Sequence, residues 1–263
     1  MKIVSLAENT ARDGYRSVHG LSLYIETPRH KILFDVGPDD TMFRNAARKG
    51  IDLTCVDTVV ISHGHSDHGG ALGRFLQENT GAKVYIQRTA FERHYAKVLF
   101  LHVDVSLDPA LAECPRLTLL DGDERIDEEL CLFTAKVGDP IGSEANRVLC
   151  GPRGRDDFGH EMSLYISGEK DVLCMGCGHA GVVNILQSAP ARPGVCIGGF
   201  HLYNPAGGRT VPEHQLSAVA GALSGYGDVA FYTCHCTGKK AYAYLSARCP
   251  NVSYLSCGEE IEL

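Results

Sequence analysis

The run His63-Gly64-His65-Ser66-Asp67-His68 puts four side chains of metal-binding type within six positions. Imidazole nitrogens with a carboxylate oxygen select zinc, iron, manganese or nickel over calcium, which prefers an all-oxygen shell. The run directly follows the apolar stretch DTVVIS (57–62), which reads as a buried strand, so the ligands begin where a strand ends. On extended backbone His63 and His65, two apart, project to the same side and can grip one cation. Asp67 and His68 lie at the start of the helical pattern GALGRFLQEN (70–79) and can face a second. Gly64, Gly69 and Gly70 let the chain turn tightly around the cluster. A lone histidine is more often a surface or satisfied core residue than a ligand, but this density of ligand types at a strand end reverses that expectation.

A dinuclear centre needs further ligands, and other strand ends offer them. Cys177-Gly178-His179 follow DVLCM, His201 ends GGFH, and His235 in CHCTG follows DVAFY. Taken singly, each reads as structural; their shared position after apolar runs makes them candidates. The elements that must hold them are recognisable. SLYIET, KILFDVG, DTVVISH, AKVYIQR, MSLYIS, DVLCMGC, GVCIGGF and DVAFYTC read as strands, and GALGRFLQEN, AGVVNILQSA, PEHQLSAVAGALSG and GKKAYAYLSAR as helices. Their alternation gives an α/β architecture. The stretch Pro109–Arg155, rich in Asp, Glu, Gly and Pro, is the least regular and reads as meandering strands or loops. With no repeat and no low-complexity linker, the chain 1–263 is expected to be a single domain.

Of 263 residues 44% are hydrophobic and 22% charged, as in ordinary globular proteins, and the formal net charge of -7 argues against non-specific attraction to nucleic acid or anionic membrane. The first residues lack the apolar stretch of a secretory signal, so a cytoplasmic location is expected. The 11 cysteines are odd in number and several sit in apolar runs, which suits reduced, buried thiols.

Two other motifs point elsewhere and fail. Gly176-Cys177-Gly178-His179-Ala180-Gly181 matches the dinucleotide fingerprint GxGxxG, but no Asp or Glu lies between Gly181 and Pro212 to hold a ribose. Cys174 and Cys177 form a CxxC pair, yet Cys174 sits inside a strand-like run rather than at a helix N-terminus, and buried structural cysteine is the better account of it.

The HxHxDH run resembles the signature of the metallo-β-lactamase superfamily. With His19-Gly20-Leu21-Ser22-Leu23, the strand ending Phe34-Asp35-Val36-Gly37, and the later GCGHAGVVNIL, GGFHL and HCTG, the chain from Val18 to Gly238 is similar to one subfamily. That subfamily is named for 7,8-dihydropterin-6-yl-methyl-4-(β-D-ribofuranosyl)aminobenzene-5'-phosphate synthase. The resemblance implies a four-layer αββα sandwich holding two divalent transition-metal ions, zinc first, with iron, manganese or nickel as alternatives. In that arrangement His63 and His65 serve one metal, Asp67 and His68 the other, His235 is a further ligand of the second, and Asp35 orients a ligand. Where much of the superfamily has a bridging aspartate this chain has Cys177, whose thiolate can take the place. The remaining ligand of the first metal is His179 by the subfamily's motif or His160 by the superfamily's motif order. His179 is favoured, since its Gly-Cys-Gly turn can bend the imidazole back, whereas RGRDDFG before His160 reads as a mobile surface loop.

The activity implied is hydrolysis of a small phosphoester or related ester through a metal-bound hydroxide, with Asp67 orienting it and His201 as general acid or substrate donor. The alternative is a synthase that couples a dihydropterin diphosphate to a ribofuranosylaminobenzene phosphate with loss of pyrophosphate. A non-catalytic metal-binding protein is a third reading, disfavoured because the HxHxDH core is complete. The expected partner is a small, phosphorylated molecule, neither nucleic acid nor membrane, and Arg153, Arg155, Arg209, Lys239 and Lys240 are available to receive it.

Overall fold

The computed structural model describes residues 1–135, 142–205 and 207–263. The chain forms two compact units: Met1–Glu92 with Val105–Asp121 and Leu255–Leu263, and Arg93–Asp104 with Gly122–Tyr254.

The first unit is built on a seven-stranded sheet in the order 260–262, 2–7, 22–26, 31–34, 58–60, 83–87, 117–120. The first four strands pair antiparallel; from 31–34 onward the pairing is parallel. Parallel neighbours need crossovers, and the helices Thr41–Lys49 and Leu72–Glu78 lie within two of them. Val4, Leu6, Leu33 and Val59 share a core with Met42 and Phe75 from these helices. The alternate positions Ile3, Leu23, Ile25, Ile32, Phe34 and Val60 are also fully buried. Burial on both faces explains why these strands read as continuous apolar runs rather than alternating ones. Truncating Phe75 to Ala at such a position costs about 3–5 kcal/mol.

The second unit has its own seven-stranded sheet in the order 252–254, 230–233, 195–198, 172–174, 163–166, 130–133, 124–125. Here the first four strands are parallel and the rest antiparallel. Helices Val182–Ser188, Glu213–Leu223 and Lys239–Ser246 contribute Ile185, Val219 and Leu245 to a core with Leu173, Cys196 and Phe231. A small sheet of strands 154–155, 149–151, 95–98 and 101–104 belongs to the same unit.

All eight apolar runs contain strands, and the α/β class stands. The helix expected over 70–79 is a single turn at Ser66–Gly69 followed by Leu72–Glu78. The irregular stretch 109–155 holds short strands at 117–120, 124–125, 130–133 and 149–151, while 136–141 within it lie outside the described residues. None of the 11 cysteines forms a disulfide. Among the described residues no helix is long and apolar enough to cross a membrane.

Candidate metal centre

In the first unit, strand 58–60 runs on into the HGHSDH segment while its parallel neighbour 31–34 runs into Asp35. Asp35 N donates to Val60 O at 2.8 Å, which brings the carboxylate beside Ser62. Asp35 Oδ1 accepts from Ser62 N at 2.7 Å, and Oδ2 accepts from the Ser62 hydroxyl at 2.7 Å and from His68 Nδ1 at 2.6 Å. Having given its proton to Asp35, the Ser62 hydroxyl accepts from His63 Nδ1 at 2.8 Å. Because a carboxylate only accepts, both histidines carry their proton on Nδ1 and a lone pair on Nε2. Metal-ligating imidazoles are held in this way by carboxylate partners.

The ring centroids of His63 lie 4.1 Å from those of His68 and 4.6 Å from those of His65, and all three rings are buried. Asp67 is partly exposed, with Oδ2 3.4 Å from His19 Nε2 and 3.8 Å from His68 Nε2. Asp35 sits at φ 60, a left-handed conformation whose cost the three hydrogen bonds to its carboxylate offset. Of the turn glycines, Gly70 is right-handed at φ -61. What it needs is space: a Cβ there would lie 2.5 Å from Ser66 O and 2.7 Å from Pro38 O.

In the second unit the ligand types follow three adjacent parallel strands: Cys177 and His179 after 172–174, His201 after 195–198, and His235 after 230–233. Ligand atoms of Cys177, His179 and His201 lie within 4.8 Å of one another, as do those of Cys177, His235 and Cys236. Cys177 is common to both groups. Gly178 takes φ 68, and a Cβ there would lie 2.7 Å from Gly199 O, so the bend expected of the Gly-Cys-Gly turn does require glycine. His201 and His235 both adopt φ 47, two strained residues at two neighbouring strand ends.

Side chains from outside these strands fix His179. Asn146 Nδ2 donates to His179 O at 2.8 Å and Asn146 Oδ1 accepts from His179 Nδ1 at 2.9 Å, which again leaves the lone pair on Nε2. The Glu161 carboxylate accepts from His179 N at 2.7 Å and from Ala180 N at 2.8 Å. Burial pushes the Glu161 carboxyl up to about 7, partly opposed by those two backbone donors. Phe158, at φ 55, stacks on the His179 ring with centroids 4.4 Å apart and planes 8° apart.

Within the second unit, His94 and Asp156 have ligand atoms within 4.8 Å of those of His160. Before it, Arg153, Gly154, Arg155, Asp157 and Gly159 are exposed, while Asp156, Phe158 and His160 turn inward at 7%, 3% and 2% exposed. The reason is local: Asp156 Oδ1 accepts from Phe158 N at 2.8 Å, while Oδ2 faces His94 Nδ1 at 3.0 Å and His160 Nε2 at 3.3 Å. Burial alone would raise the Asp156 carboxyl, but the hydrogen bonds from His160 and His94 outweigh it and hold the group well below the usual carboxylate range. Burial also lowers His160. Arg153, Arg155, Arg209, Lys239 and Lys240 are all exposed.

Residues 16–130 match the family model described as the metallo-β-lactamase superfamily. That match spans less than half of the chain. Its fold is also that of a solved structure described as Tm1679, a metal-dependent hydrolase of the β-lactamase superfamily: TM-score 0.83 at 24% identity, covering 100% of this chain and 99% of that one. Among curated proteins it is 28% identical over 248 residues to an uncharacterized protein of Methanocaldococcus jannaschii, covering 92% of each. It is 29% identical over 276 residues to the 7,8-dihydropterin-6-methyl-4-(β-D-ribofuranosyl)-aminobenzene-5'-phosphate synthase of the same organism, covering 92% of this chain and 89% of that one.

Sequence reasoning missed Ser62, Asn146, Glu161 and Phe158, which orient the candidate ligands, and Cys236, which shares a group with Cys177 and His235. Ser62 had a signal, lying between a strand and the histidines. The other four are ordinary residue types, and only the fold sets them beside the ligands.

Proposed function

We propose that this protein is a dinuclear metal-dependent enzyme that hydrolyses a small phosphoester or related ester, with zinc as the first choice of metal. His63, His65, Asp67 and His68 are the ligands we assign in the first unit, and Cys177, His179 and His235 those in the second. One observation carries the reading: Asp35 fixes the protons of His68 and, through Ser62, of His63, so that both present basic Nε2 atoms from a buried site. The donor set fits a transition-metal ion by softness and by tautomer. Such ions, when bound, make a hydroxide available near neutral pH and polarise the ester under attack.

The chain's own groups do the rest. Asp67, partly exposed beside His19, is placed to accept a proton from the attacking water. His201 is our candidate donor to the leaving group. Lys239 and Lys240 open the helix Lys239–Ser246, where cations oppose the helix dipole and an anionic substrate would relieve that opposition. We propose that 1–263 act as one functional domain in the cytoplasm. Purified protein reconstituted with zinc should bind metal and turn over a generic phosphodiester or phosphomonoester. Metal bound without turnover of any phosphoester, lactone or thioester would contradict hydrolysis.

The similarity to the synthase over 92% of this chain favours a second reading, condensation of a dihydropterin diphosphate with an arylamine ribotide. Pyrophosphate release that requires both substrates would select it over hydrolysis.

A further inference from the structure

Among the described residues, the large hydrophobic side chains left in solvent all fall in one short stretch of the second unit: Leu99, Phe100, Leu101 and Val103 are 89%, 97%, 68% and 44% exposed. They form the tip and outer strand of a hairpin in which Tyr95, Ala96, Lys97 and Val98 pair antiparallel with Asp104, Val103, His102 and Leu101. Residues directly opposite share a face. Ala96, Val98, Leu101 and Val103 therefore make one face apolar, and Tyr95, Lys97, His102 and Asp104 make the other polar. The two-residue turn holds Leu99 at φ 56, where such turns favour Gly or Asn. A leucine at a glycine-type position and a run of apolar residues in solvent break two local rules at one place, as functional surfaces do.

Strand 101–104 is also the edge of its sheet, whose order is 154–155, 149–151, 95–98, 101–104. Edge strands of soluble proteins are usually charged, twisted away or covered, because their outer side is a template for another strand. This one carries Leu101 and Val103, and its sequence complements itself. Closing the two-residue turn directs the backbone of Leu101, and with it that of Val103, toward strand 95–98, so the backbone of His102 and Asp104 faces outward. A second copy of the strand, antiparallel across a two-fold axis, can then be centred on His102, Val103 or Asp104. The first choice sets His102 against itself, and the last sets Asp104 against itself. Centred on Val103, each His102 lies opposite Asp104 of the other copy, an imidazole donor against a carboxylate acceptor, and the pair is made twice. The apolar faces of the two hairpins then join on one side. Arg93 Nη1 donates to Asp104 Oδ2 at 2.7 Å, which holds the carboxylate at the edge.

We infer that strand 101–104 is a dimerisation edge, through which two copies of this chain pair antiparallel about Val103 and join their small sheets into one. An anionic membrane is the weaker fit for the apolar tip, because the chain carries a net charge of -7 and Asp104 lies on the edge itself. No residue of the assigned metal centre takes part.

The test is sedimentation velocity of the full chain across micromolar concentrations. Wild type should run as a dimer. Val103→Lys, which sets two ammonium groups opposite each other, should run as a monomer with unchanged circular dichroism, since the side chain is exposed. His102→Asp should weaken the dimer by about 10-fold or more, because the like-charge pair it creates occurs twice. Adding Asp104→Lys to His102→Asp should restore the dimer, because only pairing about Val103 sets residue 102 opposite residue 104. A wild type that stays monomeric, a Val103→Lys chain that dimerises as wild type does, or a double variant no more dimeric than His102→Asp overturns the proposal. So does a monomeric wild type that floats with vesicles of phosphatidylcholine and phosphatidylglycerol, which would assign the apolar tip to a membrane.

Discussion

The two units solve one problem in two ways. Each sheet has an antiparallel part and a parallel part, and each places its ligand types after parallel strands. In the first unit the ligands we assign come from one run of six residues, 63–68, and a single carboxylate following the neighbouring strand orients two of them. In the second, each of three strand ends gives one or two ligand types, and the orienting groups Asn146, Glu161 and Phe158 arrive from other segments. A contiguous cluster needs one strand-to-loop transition, while a dispersed one needs the whole sheet. Losses in the first unit should therefore be sharp and assignable to single residues, and those in the second spread over several.

The largest effect should come from Asp67→Ala. It lies at the partly exposed edge of the cluster and contributes little packing, so circular dichroism should be unchanged while turnover of any identified substrate falls by about 100-fold or more. A folded variant with near wild-type rate would remove Asp67 from the mechanism. Next comes Asp35→Asn. The amide has one acceptor oxygen where the carboxylate uses two, so its NH2 would face either the Ser62 N–H or the Ser62 hydroxyl and His68 Nδ1, and metal affinity should weaken by about 10- to 100-fold. Competition with a chromophoric chelator reads this directly, and unchanged affinity would mean that the two histidines are held without Asp35.

Within the second unit the comparison sharpens to His179 against His160. His179→Ala should perturb the cobalt band that reports the Cys177 thiolate, whereas His160→Ala should leave that band in place and keep both metals. The reverse pattern would return His160 to the centre assigned to His179.

The smallest effect is on pH dependence. Glu161 is raised in the folded state from 4.5 to about 7, so its contribution to stability is fully present below about pH 4.5 and is lost as pH rises through about 7. In metal-free protein this amounts to up to about 3 kcal/mol. Urea melts across that window should show wild type losing stability with rising pH relative to Glu161→Gln, and parallel curves would show that Glu161 is not raised.

How much of this was legible in the sequence follows the same division. The cluster 63–68 is local, so residue types, spacing and the preceding apolar run suffice to place it. Cys177, His179, His201 and His235 were recognisable only as strand-end residues, because their meeting depends on three parallel strands lying side by side. The strands 2–7, 252–254 and 260–262 passed unnoticed, being short or mixed in polarity at the chain's ends. The polar stretch 153–159 faces solvent at most positions, as its letters suggest, but Asp156 is bonded inward by two histidines whose positions no local pattern reveals.

The central claim is that buried, pre-oriented imidazoles hold a pair of catalytic metal ions, and metal content tests it most directly. Elemental analysis of protein purified without chelator should find about two transition-metal equivalents per chain. Occupancy near zero after reconstitution with zinc, iron, manganese and nickel would contradict it.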